Sequence, residues 1–282
     1  MTARLLDGRA LANQLRDELR RRVERLAAGA TGAPRLAILG DGANEGAALY
    51  AASLERAASR VGIGTDLRLG AQGSIERDIE QLNADPTVAG IVIAQPFADP
   101  VEGRRLVQHV DPAKDVDGAT PTNAGWLARG EPAFVPATAL AVIALLEAYD
   151  VPIAGQRAVI VGRSAVVGRP VASLLLARDS TVVICHRSTR DLARETRAAD
   201  LLVAAAGVPG LIRAEMVNPS ATVIDCGINA TDGGIVGDVD TAAVAAMVEA
   251  ISPVPGGVGP VTPMMVLRQT VEAAERASSS SA

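Results

Sequence analysis

One segment limits the fold more than any other: residues 157–189, RAVIVGRSAVVGRPVASLLLARDSTVVICHRST. An apolar run ends at Gly162, a short turn leads to a helical pattern near Gly168, and a second apolar run, TVVIC, follows. Two such strands joined by a helix pair in parallel, which predicts a βαβ unit in a sheet covered on both faces. The same alternation fills the first half. Residues 8–27 predict an amphipathic helix with Leu11, Leu15, Leu19 and Val23 on one face. Strand RLAILG, the loop GDGANEG, a helix over 47–61, strand TDLRL, a helix through IERDIEQLNAD and strand VAGIVIAQ come next. A helix over 138–149 leads into the βαβ segment. After it come ADLLVAAAG and ATVIDCGIN, then PVPGGVGPVT and a last helix, MMVLRQTVEAAERA. The tail, ERASSSSA, is low in complexity and is expected to be disordered.

The predicted class is α/β: two α/β lobes with a cleft, the second Rossmann-like. At 282 residues the chain is near the length where one core gives way to two. The boundaries read as 1–137 plus 263–282 for one domain and 138–262 for the other. The stretch 111–136, rich in Asp, Pro, Gly and Thr, is longer than an ordinary connection, and such loops are usually functional.

Composition excludes several classes. A net charge of −5 and 2% aromatic residues leave neither a basic face nor a stacking platform for nucleic acid. No apolar stretch suits a secretory signal or a membrane span, so a cytoplasmic enzyme is expected. Cys185 and Cys226 sit in apolar runs and read as small buried hydrophobes, while His109 and His186 stand in unrelated contexts, so no metal site is predicted. Lys114 is the only lysine.

The turn GRSAVVGRP places Gly162 at a strand end and Gly168 at a helix start, where backbone N–H groups and the helix dipole hold phosphate. Ser164 fills the second glycine position of the usual dinucleotide fingerprint. Taken alone, the pair is equally consistent with a tight strand-to-helix connection. The next strand end decides the reading. It offers His186, Arg187, Ser188 and Thr189 in place of an acidic residue for a ribose 2′-OH. Cations and hydroxyls suit a 2′-phosphate, so NADP is expected over NAD. Arg163 is a second cation for that phosphate, and a solvated surface role is the alternative for Arg187.

GRSAVVGRP, HRST, VIDCGIN and PVPGGVGPVT occur together and in order, with LYAASLERAASRVGI, VAGIVIAQP and AKDVDGATPTNAG before them. On these motifs the chain resembles the bifunctional methylenetetrahydrofolate dehydrogenase/methenyltetrahydrofolate cyclohydrolase family over nearly its whole length. The resemblance implies a folate-type catalytic domain over 1–137 plus 263–282, an NADP-binding domain over 138–262, and a homodimer. It gives Tyr50 the role of stacking on the substrate ring and Asp117 that of holding the pterin amino group. Bland alternatives stand beside both: a core aromatic for Tyr50, a loop-stabilising turn residue for Asp117. Gln95, Pro255, Gly256 and Gly257 join the substrate set, with Gly259 in the same PGGVGP turn. Gly207 and Ile228, after the next two strands, join Gly162, Arg163, Ser164, Gly168, His186, Arg187, Ser188 and Thr189 in the cofactor set.

The departures from the family pattern are more informative. Where the family's Tyr-Val-x-x-Lys motif carries its catalytic lysine, this chain has Leu54. The glutamine position holds Ala94, and a one-residue slip bringing in Gln95 would turn it to the other strand face. Pro-Cys-Thr-Pro reads Pro136-Ala137-Thr138-Ala139, and a common serine is Ala47. The resemblance thus implies an NADP-dependent oxidoreductase moving hydride at a C–N centre, with cyclohydrolase activity weak or lost. An imine or iminium reductase acting on a non-folate substrate, and a non-catalytic nucleotide- or folate-binding protein, are the alternatives.

Overall fold

The structure, a computed structural model, describes residues 3–29, 32–70 and 72–280. In chain order the elements are β1 (Arg4–Leu5), α1 (Gly8–Ala27), β2 (Arg35–Asp41), α2 (Glu45–Ser59), β3 (Gly64–Gly70), α3 (Gln72–Ala84), β4 (Val88–Ala94), α4 (Pro100–Val107), α5 (Pro121–Ala128) and α6 (Ala137–Ala148). There follow β5 (Arg157–Val161), α7 (Gly168–Leu176), β6 (Thr181–Cys185), α8 (Leu192–Arg197), β7 (Leu201–Ala204), β8 (Thr222–Asp225), β9 (Asn229–Thr231), β10 (Gly234–Val236), α9 (Thr241–Val244), β11 (Ala250–Ile251) and α10 (Val258–Ser280). The α/β class read from the sequence is the one observed. The chain divides into two compact units: one of Asn13–Trp126, Pro132–Val135 and Pro263–Ala282, the other of Met1–Ala12, Leu127–Glu131 and Pro136–Thr262. We call them the first and second unit.

The first unit is built on the parallel sheet β3-β2-β4. The central strand β2 is buried along its middle five residues, as a strand covered on both faces must be. Helix α2 starts two residues before the expected Ala47, because the Asn44 side chain accepts from Ala47 N–H at 3.1 Å and caps it there. Ala47, Ala51, Leu54 and Ala58 form its fully buried stripe, at helical spacing. On α3 and β4, Ile75, Ile79, Leu82, Ile91 and Ile93 close an apolar cluster with Phe97 and Leu106. The expected long loop is not irregular throughout: α5 lies inside it.

Lys114 fixes how that loop leaves β4. Its ammonium donates to the carbonyls of Leu82 (2.8 Å), Asn83 (2.8 Å) and Asp85 (2.6 Å), so it closes the C-terminal end of α3. Ile91 N–H donates to Lys114 O at 2.7 Å, which lays the loop along the edge of β4. The sole lysine of the chain is therefore committed to the scaffold.

The second unit carries a six-stranded sheet, β1-β11-β8-β7-β5-β6, with every pairing parallel. Its core gathers Val159, Val161, Leu202, Ala204, Val223 and Ile251 with Val217 and Val244. Elements that the sequence reading did not anticipate are short or capped by an aspartate: β1, β11, the antiparallel β9–β10 hairpin, α4 behind Asp99 and α8 behind Asp191. The tail corrects one expectation. Helix α10 runs through Ser280, so most of ERASSSSA is helical, and Ser281 and Ala282 lie outside the described residues. Ser278 and Ser279 hydroxyls donate to the carbonyls of Ala274 and Glu275, and Arg22 of α1 pairs with Glu275 through both carboxylate oxygens, at 2.7 and 3.1 Å. Among the described residues no helix is long and apolar enough to cross a membrane.

Lys114→Met removes the three carbonyl contacts while keeping an unbranched apolar stem. We expect a loss of about 2 kcal/mol from the charge-assisted bonds, seen as a fall in melting temperature of about 4–8 °C. An unchanged melting curve would contradict the anchoring role.

Candidate functional site

In the second unit, the chain leaves β5 through Gly162 at φ 132°, and a Cβ there would collide with the Ala205 carbonyl. A Cβ at Gly168 would in turn strike the Gly162 carbonyl, so both glycines are demanded by backbone approaching backbone. Ser164 Oγ accepts from Val167 N–H at 3.1 Å and Gly168 N–H at 3.4 Å, bracing the entry to α7. At the end of β6, Thr189 Oγ1 accepts from His186 N–H (2.9 Å), and His186 Nδ1 accepts from Ser188 N–H (3.2 Å). His186 and Thr189 thus shape the turn. Arg163 and Arg187 are exposed and make no hydrogen bond or ion pair among the described residues. Two unpaired guanidinium groups at the ends of neighbouring strands, one of them in the turn that enters α7, suit an anionic ligand.

Ile228, beyond β8, is 71% exposed, which no packing role explains. A dinucleotide fits these features: backbone able to come close, free cations and an apolar side chain left open at strand C-terminal ends. In the PGGVGP segment Gly256 and Gly257 are buried and Pro255 is exposed. Gly256 O accepts from Gly8 N–H (2.8 Å) and Gly257 N–H donates to Pro253 O (2.7 Å), so the turn is also held by the protein's own backbone.

Two residues that the sequence reading passed over organise the same strand ends. Asp238, fully buried, accepts from the N–H groups of Ala206 (2.6 Å), Gly207 (2.8 Å) and Val208 (2.9 Å) and from Asn229 Nδ2 (2.9 Å). Asp225 accepts from the N–H groups of Gly227 (2.8 Å), Asp238 (3.0 Å) and Val239 (2.9 Å). Burial pushes the Asp225 carboxyl above the ordinary range, against the pull of those donors. The only signal in the sequence was a pair of aspartates beside glycines, in IDCG and VGDVD.

In the first unit, Tyr50 and Asp117 come near enough for the carboxylate to act on the phenol. Burial first, and Asp117 second, hold the Tyr50 hydroxyl well above the usual tyrosine range. Leu54, one turn further along α2, has no exposed surface, and neither has Ala94 at the end of β4. The pairing of β2 with β4 shifts register between Arg35 and Leu36 and then runs from Leu36–Gly90 to Gly40–Ala94, so Ala94 is the last paired residue of β4. Gln95 is exposed, and its amide lies against Gly103 of α4. Ala47 is buried on α2, while Ala137 and Ala139 are buried in the second unit.

The turn that carries Asp117 is tied by its neighbour Asp115. Asp115, buried, accepts from the N–H groups of Ala119 (3.0 Å) and Thr120 (2.8 Å) and from Asn123 Nδ2 (2.8 Å). Burial pushes its carboxyl up, and these donors oppose the shift. Asp117, two residues on, is half-buried. His109 faces Glu76 at 3.5 Å, and among the described residues no group of His, Cys, Asp and Glu has the arrangement of a metal site.

Two family descriptions match the chain: the tetrahydrofolate dehydrogenase/cyclohydrolase catalytic domain over residues 6–117, and the NAD(P)-binding domain of the same family over 136–278. A bifunctional protein FolD of Parafrankia sp. is 47% identical over 96% of this chain and 99% of its own. The Campylobacter jejuni bifunctional FolD methylenetetrahydrofolate dehydrogenase/cyclohydrolase superposes with a TM-score of 0.92 at 39% identity, over 96% of this chain and 98% of its own. The Trypanosoma brucei methylenetetrahydrofolate dehydrogenase-cyclohydrolase, solved with NADP cofactor and inhibitor, gives a TM-score of 0.92 at 34% identity over 98% of each chain.

The Tyr50 environment carries a pH prediction. A phenol whose folded-state pKa is raised contributes stability in full below about pH 10, and loses it as pH climbs above that value. The chain has one other tyrosine, Tyr149, so a Tyr149→Phe variant isolates Tyr50. In that variant tyrosinate absorbance should appear only with alkaline unfolding; ionisation near pH 10 in the folded protein would contradict it.

Proposed function

The chain belongs to the tetrahydrofolate dehydrogenase/cyclohydrolase family, and from that premise we propose that it is an NADP-dependent 5,10-methylenetetrahydrofolate dehydrogenase whose cyclohydrolase half is weak or lost. One observation carries the reading: Leu54, at the position of the family lysine, is fully buried, while Lys114, the one lysine available, is spent on three carbonyls at the end of α3. The Campylobacter jejuni and Trypanosoma brucei structures, matched over nearly the whole chain, carry methylenetetrahydrofolate dehydrogenase in their names, which favours folate over a different iminium substrate.

The two reactions make different demands on the protein. Bound NADP supplies the hydride acceptor. Oxidation of the methylene carbon leaves a methenyl cation with no proton to remove, so the protein's task is positioning. In this reading Tyr50 stacks on the folate ring, and Asp117, presented by the turn that Asp115 ties, holds the pterin amino group. Gln95, Pro255, Gly256 and Gly257 complete the substrate set. Arg163 and Arg187 meet the 2′-phosphate, with Ser188 beside them. Gly162, Ser164 and Gly168 shape the phosphate turn, His186 and Thr189 shape the next strand end, and Gly207 and Ile228 face the remainder of the dinucleotide. Hydrolysis of the methenyl cation needs an activated water and proton transfer to the leaving nitrogen. Leu54 and Ala94 carry no group that does either. Tyr50 stays a neutral phenol and does not replace a lysine as base.

A spectrophotometric assay with 5,10-methylenetetrahydrofolate and NADP tests this. We expect NADPH formation together with a lasting methenyl signal, because hydrolysis is slowed by about 10²–10⁴-fold without its acid-base group. Leu54→Lys alone places an ammonium in an apolar, fully buried position and should restore little. The pair Leu54→Lys with Ala94→Gln should restore more. Formyl product appearing as fast as NADPH in the parent protein would overturn the proposal.

The assembly we propose is a homodimer. The outer edge of β6 is unpaired among the described residues, and Ile184 on it and Ile235 on β10 are 41% and 50% exposed. Sedimentation equilibrium should give about twice the 28.8 kDa chain mass; a single-chain mass at micromolar concentration would contradict it.

A further inference from the structure

Three successive N–H groups at Ala206, Gly207 and Val208 converge on one point, with Gly207 in the left-handed region at φ 68°. Such a concavity of backbone N–H groups is an anion site. Here it is filled from within, by the carboxylate of Asp238, which has no solvent exposure. The same carboxylate takes Asn229 Nδ2 at 2.9 Å, and so ties the loop after β7 to the loop after β8. Asp238 is held in turn: its own N–H donates to Asp225 at 3.0 Å, and Asp225 also gathers Gly227 and Val239. Gly237 lies so close to the Asp225 carboxylate that a Cβ there would collide with it.

These two loops carry Gly207 and Ile228. Sheet order sets what lies there. In β11-β8-β7-β5-β6, the strands β7 and β8 stand on one side of β5 and β6 on the other. A dinucleotide laid across the C-terminal ends with its adenosine phosphate at the end of β6 places its other half over β7 and β8.

Resting on the NADP reading above, we propose that Asp238, braced by Asp225, is a positioning residue for the nicotinamide half of the cofactor. Its carboxylate occupies the one convergent set of N–H groups in the loop after β7 and locks that loop to Ile228 through Asn229. It follows that this loop shapes the cofactor site without taking a phosphate, which leaves phosphate binding to the turn at Gly162–Gly168 and to Arg163 and Arg187.

The test compares binding of NADP with binding of 2′,5′-ADP, which carries the adenosine and its 2′-phosphate and lacks the nicotinamide half. Isothermal titration of the full-length parent, Asp238→Asn and Asn229→Ala, each shown to be folded at the assay temperature, gives both affinities. In Asp238→Asn one oxygen becomes an amide aimed at N–H donors, so NADP affinity should fall by at least about tenfold. Affinity for 2′,5′-ADP should stay within about twofold of the parent. Asn229→Ala, a milder change that cuts the tie between the loops along with a 3.4 Å bond to Val236 O, should move NADP in the same direction by a smaller factor and leave 2′,5′-ADP alone. Should Asp238→Asn fail to fold, Asn229→Ala decides alone. Equal loss of both ligands would show a merely structural role and overturn the proposal, as would unchanged NADP affinity. A parent protein that binds 2′,5′-ADP and NADP not at all would overturn the functional reading and this inference with it.

Discussion

Parallel strands deliver the chain into loops at their C-terminal ends, and the N–H groups of those loops are buried against the sheet with no ladder to join. Each must find an acceptor or cost the fold its desolvation. This protein answers with carboxylates. Asp115 gathers Ala119, Thr120 and Asn123 beside β4; Asp225 gathers Gly227, Asp238 and Val239 beyond β8; Asp238 gathers Ala206, Gly207 and Val208 beyond β7. The candidate ligand-facing residues are neighbours of these anchors in sequence. Asp117 follows Asp115 by two, Ile228 follows Asp225 by three, and Gly207 donates to Asp238 directly. The geometry of the site is thus inherited from the need to pair backbone.

The same logic accounts for what the chain has and lacks. A single lysine in a chain rich in arginine would stand out as a catalytic candidate, yet Lys114 reaches three carbonyls at one helix end, a task for a compact ammonium with three donors. The α2 stripe that would present a lysine is Ala47, Ala51, Leu54 and Ala58, all without exposure. An ammonium at Leu54 would need a polar partner to offset desolvation. With alanine at 94, the position the family gives to glutamine, the two changes fit one another: an apolar residue with an apolar neighbourhood.

Periodicity made the large elements legible. Helix α1 runs from Gly8 to Ala27 as its leucine spacing predicts, β2, β4 and β5 coincide with apolar runs flanked by Gly or Pro, and β6 coincides with the apolar run TVVIC. Short elements escaped: β1 and β11 are two residues each, β1 held at the sheet edge by β11 and β11 held between β1 and β8. Helix α4 carried a readable signal, Asp99-Pro100, in which the Asp99 carboxylate accepts from Val101 N–H at 2.8 Å. The serine-rich tail misled because composition says nothing of the Arg22–Glu275 pair that holds α10 to α1. In the site, residue identities at 50, 54, 94 and 117 could be read against a family pattern. The roles of Asp115, Asp225 and Asp238 could not, since an aspartate that collects backbone N–H groups looks in sequence like any turn aspartate, and its donors come from residues brought near by the fold.

In the proposed function the folate site has no water-activating group, while the scaffold that positions hydride transfer is kept. The most direct measurement supplies purified 5,10-methenyltetrahydrofolate to the protein with no nucleotide present and follows its decay against buffer alone. The expected decay rate is independent of protein concentration, or far below the rate at which the same preparation reduces NADP with the methylene substrate. Decay that rises in proportion to protein and matches that dehydrogenase rate would contradict it.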